Sequence, residues 1–403
     1  MAGEFSAVKV TDTVWWVGAI DWGLRDFHGY ATQRGTTYNA YLVMADKVTL
    51  IDTVKRPFFD EMLARVASVV EPSRIDYVVS NHTEMDHSGS LGEAIAAAEP
   101  EKVFASKMGV KALGRHFDLG REVTAVADGE TLSLGNMNLT FVETRMLHWP
   151  DSMFTYLAEE ELLFSSDAFG MHLASSERFD DEIDPSILEH EGARYFANIL
   201  LPYAPLITKL IARVGELGIP IRTICSDHGP VWRSDVAGVI QRYANWAAQK
   251  RSRKAVVVYD TMWQSTARMA KAVTEGLIGS GVSAKLMPLK SSHRSDVAAE
   301  MLDAGALVVG SPTLNNGLFP TVADLFCYLK GLKPKGLVGA AFGSYGWSGE
   351  AVRDLAGMLE AMKVELVGDP VKSLYVPGDE ELAECRSLGM RVADVLKERC
   401  ADG

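Results

Sequence analysis

The stretch Asn81-His82-Thr83-Glu84-Met85-Asp86-His87 directly follows the apolar run Ile75-Asp76-Tyr77-Val78-Val79-Ser80. Two imidazoles and two carboxylates therefore crowd the six residues from His82 to His87, at the end of what reads as a buried strand. Such groups are costly to take out of water, so packing gives no reason to cluster them there; either solvent reaches them or a cation compensates them. A sheet suits that demand, because its strand ends can aim side chains at one point.

Three further candidates follow apolar runs in the same way. Phe141-Val142 leads through a short polar stretch to His148, Glu161-Leu162-Leu163-Phe164 leads to Asp167, and Ile221-Arg222-Thr223-Ile224 leads to His228. The inventory is His82, Glu84, Asp86, His87, His148, Asp167 and His228, four imidazoles and three carboxylates, enough for two metal ions if one carboxylate bridges. Two divalent ions bring four positive charges, the three carboxylates return three negative ones, and one hydroxide would leave the pocket near neutral. Mixed nitrogen and carboxylate donation without thiolate suits iron or manganese at least as well as zinc. The other histidines, His28, His116, His172, His190 and His293, read as surface or hydrogen-bonded residues; His172, five positions after Asp167, is the one placed to line a pocket. Asp52, closing the strand Leu50-Ile51, reads as a support for the loops.

The chain changes grammar near residue 251. From about Thr13 to Arg251, β-rich runs such as Ala40–Met44, Val48–Ile51 and Leu139–Val142 alternate with polar turns and a few helices, including Phe58–Val70 and Gly89–Ala98. This half, residues 1–251, reads as a layered α/β domain with mixed sheets. The basic patch Gln249–Lys254 ends it. In the second half, 252–403, apolar strands at 255–259, 283–288, 306–310, 337–342 and near 373–376 are separated by helical stretches such as Thr266–Ile278, Val322–Leu329 and Gly349–Met362. That pattern predicts a doubly wound parallel sheet.

A doubly wound sheet binds its ligand at the carboxyl ends of the strands. Three loops qualify, and their residues are the candidate contacts: Thr261, Met262, Trp263, Gln264, Ser265 and Thr266 after the first strand; Ser311, Pro312, Thr313, Leu314, Asn315 and Asn316 after the third; Ser344, Tyr345, Gly346, Trp347, Ser348 and Gly349 after the fourth. The first loop opens a helix, whose positive end is a natural phosphate seat. No G-x-G-x-x-G and no G-x-x-x-x-G-K-[ST] occurs in these loops, which argues for a mononucleotide with one phosphate. Tyr345 and Trp347 could contact its planar ring.

The length of 403 residues, 47% of them hydrophobic, allows two domains, and the net charge of −13 argues against a non-specific grip on nucleic acid or an anionic membrane. Met1–Val10 combines no basic segment with a long apolar one, and no stretch reads as the roughly 20 apolar residues of a membrane helix, so the cytoplasm is the expected compartment. Cys225, Cys327, Cys385 and Cys400 are too widely spaced for a Cys-x-x-Cys site and suit a reducing compartment.

The layout resembles the metallo-β-lactamase fold, whose hydrolase members usually show His-x-His-x-Asp-His; here the run is His82-Thr83-Glu84-Met85-Asp86-His87. With glutamate at the second position, the chain resembles the flavodiiron proteins, or A-type flavoproteins, and the likeness extends through Arg145–Asp151 and Ser226–Gly229 into a flavodoxin-like C-terminal half. The resemblance implies an α/β chain with an αββα sandwich before the flavodoxin-like sheet, and FMN as the mononucleotide. It implies two non-haem irons, one held by His82, Glu84 and His148, the other by Asp86, His87 and His228, with Asp167 bridging. Tyr195 resembles a tyrosine near the diiron pocket, where its hydroxyl would donate to bound dioxygen; read by itself, it is equally a core aromatic. The implied activity is reduction of O2 to water or of NO to N2O. For O2, FMNH2 would supply two of the four electrons and a diferrous pair the other two. A head-to-tail homodimer, or a dimer of dimers, is implied as well. The chain ends at Gly403 without a rubredoxin or flavin-reductase module, so an external donor is expected: rubredoxin first, a reduced deazaflavin second. The rival reading is a zinc hydrolase fused to a flavodoxin-like domain.

Overall fold

The computed structural model describes residues 5–400; Met1–Glu4 and residues 401–403, on which the readings of the two ends rest, lie outside the described residues. The chain forms two compact units. One holds Pro205–Ala244 together with the described residues up to Tyr195, and the other gathers Phe196–Ala204 with the described residues from Asn245 on.

The first unit is built on two mixed sheets. One runs β1 (Val8–Lys9), β2 (Val14–Trp16), β3 (Tyr41–Val43), β4 (Thr49–Ile51), β5 (Tyr77–Ser80), β6 (Lys102–Ser106) and β7 (Val123–Val126), antiparallel up to β4 and parallel beyond. The other runs β8 (Thr131–Ser133), β9 (Asn138–Glu143), β10 (Met153–Leu157), β11 (Leu162–Phe164) and β12 (Thr223–Cys225), with only β11 and β12 parallel. Side chains alternate across a strand, and this sorts the apolar residues into separate layers. Tyr41, Val43, Ile51 and Val79 join Phe141, Leu157 and Phe164 in the core between the sheets. Leu42, Leu50 and Val78 point the other way, onto Met62 and Val66 of α1 (Phe59–Ala67), past the short α2 (Met85–Ser88), and onto Leu91 and Ile95 of α3 (Leu91–Ala98). Burying each such large side chain contributes on the order of 1.5–3 kcal/mol, so a one-residue slip in β5 would forfeit several such terms at once. The expected helices 58–70 and 89–98 appear as these shorter elements.

The outer face of the second sheet carries Phe154 and Leu163 beneath α6 (Ala204–Leu217) and α7 (Val236–Ala248), which follow α4 (Lys107–His116) and α5 (Pro185–Tyr195) in the chain. Contrary to the expectation that nothing reaches membrane-spanning length, the helical run Pro185–Glu216 is long and apolar enough by composition, with half of its most apolar window buried. The run is broken between α5 and α6 by a π-helical turn at Phe196–Leu200 and a 3-10 turn at Leu201–Tyr203.

The second unit is an all-parallel sheet in the order β14 (Ser283–Pro288), β13 (Ser252–Tyr259), β15 (Ala304–Gly310), β16 (Val338–Tyr345). The fifth strand comes in two pieces: β17 (Glu365–Leu366) pairs with the start of β16 and β18 (Val371–Leu374) with its end. Helices α8 (Ser265–Gly279), α9 (Arg294–Glu300), α10 (Pro320–Leu332), α11 (Glu350–Ala361) and α12 (Asp379–Arg399) cover the faces. Helices α8 and α12 touch backbone to backbone. A Cβ on Gly276 would lie 2.1 Å from the Arg386 carbonyl oxygen, and one on Gly389 would lie 2.2 Å from that of Val273. The sequence pattern placed a strand near 373–376, but β18 ends at Leu374; Tyr375 turns into the left-handed region (φ 54°) and its N–H bonds the Tyr345 carbonyl.

Candidate metal centre and flavin pocket

The carboxyl ends of β4, β5, β11 and β12 lie side by side or directly across the sandwich, and the loops leaving them converge. All seven predicted donors meet there in two groups that share one residue. In the first, His148 Nε2 lies 3.1 Å from Glu84 Oε2 and 3.1 Å from Asp167 Oδ2, and His82 Nε2 lies 3.4 and 3.3 Å from the same two oxygens. In the second, His87 Nε2 lies 3.4 Å from Asp86 Oδ1 and 3.2 Å from Asp167 Oδ1, while His228 Nε2 lies 3.3 Å from Asp86 Oδ2 and 3.5 Å from Asp167 Oδ1. Asp167 thus turns one oxygen to each group.

These donors fit metal ions. Ligand atoms about 2.0–2.2 Å from a common ion stand roughly 3–3.5 Å from one another, which is the spacing seen. His82 Nε2, both oxygens of Asp86, His87 Nε2 and Asp167 Oδ2 are buried and accept or donate no hydrogen bond in the protein. Burial opposes charge on His82, yet its bond to Asp151 and the nearby carboxylates of Glu84 and Asp167 outweigh that cost and hold the imidazole well above its usual range. Burial likewise opposes charge on His87, but Asp86, Asp227 and Asp167 raise it to about 10. A field that holds protons so firmly on imidazoles favours metal cations for the same reason.

A second layer fixes which nitrogen points inward. The Thr37 carbonyl can only accept, so His228 Nδ1, 2.6 Å away, carries the proton and Nε2 keeps its lone pair for the cage. Asp151 Oδ2 does the same for His82 Nδ1 at 3.0 Å while accepting from the Thr83 amide and hydroxyl. Asp227 Oδ2 faces His87 Nδ1 at 3.7 Å. Asn39 donates to the carbonyls of Ser226 and Gly229, pinning the turn that delivers His228. Asp52, in the left-handed region, accepts from the Asn81 amide and side chain at the root of the His82 loop. The hydroxyl of Tyr195 donates to Asp167 Oδ1 at 3.0 Å. His172 is buried against Tyr195 and His228, with Nδ1 2.9 Å from Thr36 Oγ1, and burial followed by the charge of His228 holds it well below its usual range. His28 fits its reading as a surface or hydrogen-bonded residue: its ring is mostly exposed, and Nε2 lies 3.0 Å from Glu84 Oε1. His116 and His190 take no part in the cage.

In the second unit, a cavity of about 510 Å³ opens at the carboxyl ends of the strands. It is lined by Met262, Trp263 and Ser265, by Pro312–Asn316, by Ser344–Ser348, and by Tyr375 and Val376, which sequence reading did not single out. Five predicted contacts stand behind this lining. Thr266 Oγ1 bonds Ser344 Oγ at 3.0 Å and Ser311 Oγ accepts from the Phe319 amide, so both brace the loops; Gln264 caps α8 in the left-handed region (φ 69°), and Gly349 caps α11. Thr261 is the fifth. Its hydroxyl, like those of Thr313 and Ser348, is buried without a hydrogen bond, and no side chain caps the first turn of α8. A phosphate-bearing planar ligand supplies what these groups lack: acceptors for hydroxyl and amide donors, and a ring for Tyr345 and Trp347.

The family model for the ODP family beta lactamases matches residues 36–229, and that for flavodoxin matches residues 257–389. A nitric oxide reductase of Moorella thermoacetica is 45% identical over 96% of this chain and 98% of its own length. The solved rubredoxin oxygen:oxidoreductase of Desulfovibrio gigas is 45% identical with a TM-score of 0.95, covering 98% of this chain and 99% of that one. The flavodiiron protein of Giardia intestinalis is 34% identical with a TM-score of 0.95 over 99% of both chains. This chain belongs to the flavodiiron proteins. As a flavodiiron protein it uses FMN in the flavodoxin unit and a diiron pair in the lactamase-like unit, which is where the two polar sites lie.

Proposed function

We propose that this flavodiiron protein reduces O2 to water, NO to N2O, or both, at the seven-residue cage. The shared carboxylate of Asp167 carries the reading, because it presents one oxygen to each donor group. In the proposed assignment one iron would be held by His82, Glu84 and His148 and the other by Asp86, His87 and His228, with Asp167 shared between them. Bound there, the irons supply redox-active Lewis-acid centres for the gas, and FMN supplies a store for electrons arriving from the donor.

The chain's own residues do the positioning. Asp151 and the Thr37 carbonyl orient the imidazoles of His82 and His228, Asp227 Oδ2 faces His87 Nδ1 at 3.7 Å, and Tyr195 donates to the Asp167 oxygen that faces the second group. His28 stands over Glu84 with a mostly exposed ring, its Nε2 3.0 Å from Glu84 Oε1. His172, held neutral, leaves its buried Nε2 without a hydrogen bond beside His228 and Tyr195.

The electron donor is external, and rubredoxin is proposed ahead of a reduced deazaflavin because a close relative is named for rubredoxin. A head-to-tail homodimer, alone or paired into a dimer of dimers, would bring FMN of one subunit to the irons of the other. Trp263, Trp347, Tyr375 and Val376 support this, since all four are exposed apolar side chains at the flavin cavity's rim. The four free cysteines support the cytoplasm as compartment. The test is to reduce the holoprotein without oxygen and follow O2 and NO consumption in parallel while assaying peroxide. Rapid gas loss without peroxide supports the reading; slow, peroxide-forming flavin oxidation with both gases contradicts it.

A further inference from the structure

A second cavity in the lactamase-like unit has no assigned role. It measures about 490 Å³ and lies between the outer face of the second sheet and helices α6 and α7. Of all its lining side chains, only that of Tyr243 carries a heteroatom. Its inner wall includes Leu147, Ala168 and Phe169, all buried, and its outer rim includes Gly215, Gly218 and Ala237, all exposed. Leu147 and Ala168 are the chain neighbours of His148 and Asp167, so the inner wall is shared with the backbone that presents two of the cage residues.

An apolar cavity of this kind gives water too few polar partners to hold it, and instead takes small apolar solutes. O2 and NO are small and nearly apolar, and leaving water for a hydrocarbon surrounding favours them for the reason it favours any apolar solute. We propose that this cavity is a binding site for dissolved diatomic gas, filled from solvent past Ala237 and emptied toward the cage past Leu147 and Ala168. The access role rests on the gas-reducing reading above; the binding itself does not.

Xenon separates the two. Crystals of the holoprotein pressurised with xenon are expected to show the gas between α6 and α7. In Ala237→Phe, whose ring is added at the exposed rim, the xenon peak should be lost and KM for the gas should rise with kcat unchanged, because binding common to ground and transition states has been removed. Val214→Phe on α6 is the second plug should the first variant melt early. Xenon absent from the wild-type cavity would overturn the proposal, as would an acyl chain retained there through purification. Xenon bound but KM unmoved in both plugged variants would overturn the access role. Xenon bound in a protein that reduces neither gas would instead count against the proposed activity and leave the site standing.

Discussion

Asp151 offers the sharpest separation between holding a fold and holding a metal. It is 3% exposed, and its Oδ2 accepts three hydrogen bonds: from His82 Nδ1 at 3.0 Å, the Thr83 amide at 2.7 Å and the Thr83 hydroxyl at 2.9 Å. In Asp151→Asn the amide oxygen still accepts from Thr83, so the loop keeps its shape, but His82 loses the negative charge that makes its Nε2 a better donor. Removing such an outer partner typically costs about 10–100-fold in metal affinity, or roughly 1.4–2.7 kcal/mol. Asp151→Ala also strands the two buried Thr83 donors, at about 1–3 kcal/mol each, for roughly 2–6 kcal/mol of stability. The assay is iron content by elemental analysis during a timed challenge with a chelator, alongside FMN content and the melting temperature. The expected result for Asp151→Asn is fast loss of iron from one of the two positions, full FMN and a melting temperature near wild type. Wild-type iron retention in Asp151→Asn would refute the reasoning that the carboxylate tunes His82.

Two other outcomes follow from buried and exposed groups. Thr261→Ala removes a buried hydroxyl that makes no hydrogen bond within the protein, so apoprotein stability should hold or rise slightly while FMN affinity falls about tenfold; equal affinity by fluorescence titration would contradict a phosphate seat at α8. Cys327 is exposed, whereas Cys225, Cys385 and Cys400 are buried, and burial followed by the field of Glu384 pushes Cys385 up to about 12. One thiol per chain should therefore alkylate quickly at neutral pH, and mass spectrometry should find it at Cys327; rapid labelling of Cys385 would contradict its burial.

The parts of the site that sequence made legible are those that local pattern controls. An apolar run followed by a ligand marks a strand end, and that pattern found every cage residue from His82 to His228. The parts it missed depend on closure across the sandwich. Asp151 meets His82 across 69 positions, Thr36 meets His228 across 192, and nothing near Thr36 or Asp151 in the chain announces the partner. His28 read only as a surface or hydrogen-bonded residue, and it is the hairpin of Asp26–Phe27 and Tyr30–Ala31 that carries it to its partner Glu84. In the flavin unit the three predicted loops do line the cavity, but Tyr375 and Val376 read as the continuation of a strand. Only the early end of β18 frees them to form the remaining wall.

Metal and flavin analysis of native protein, purified without oxygen and without added metal, tests the central claim most directly. Two irons and one FMN per chain, with the irons lost together in Asp167→Ala and the FMN kept, is the predicted result. Two zincs with no flavin, or an Asp167→Ala protein that keeps both irons, would contradict the account.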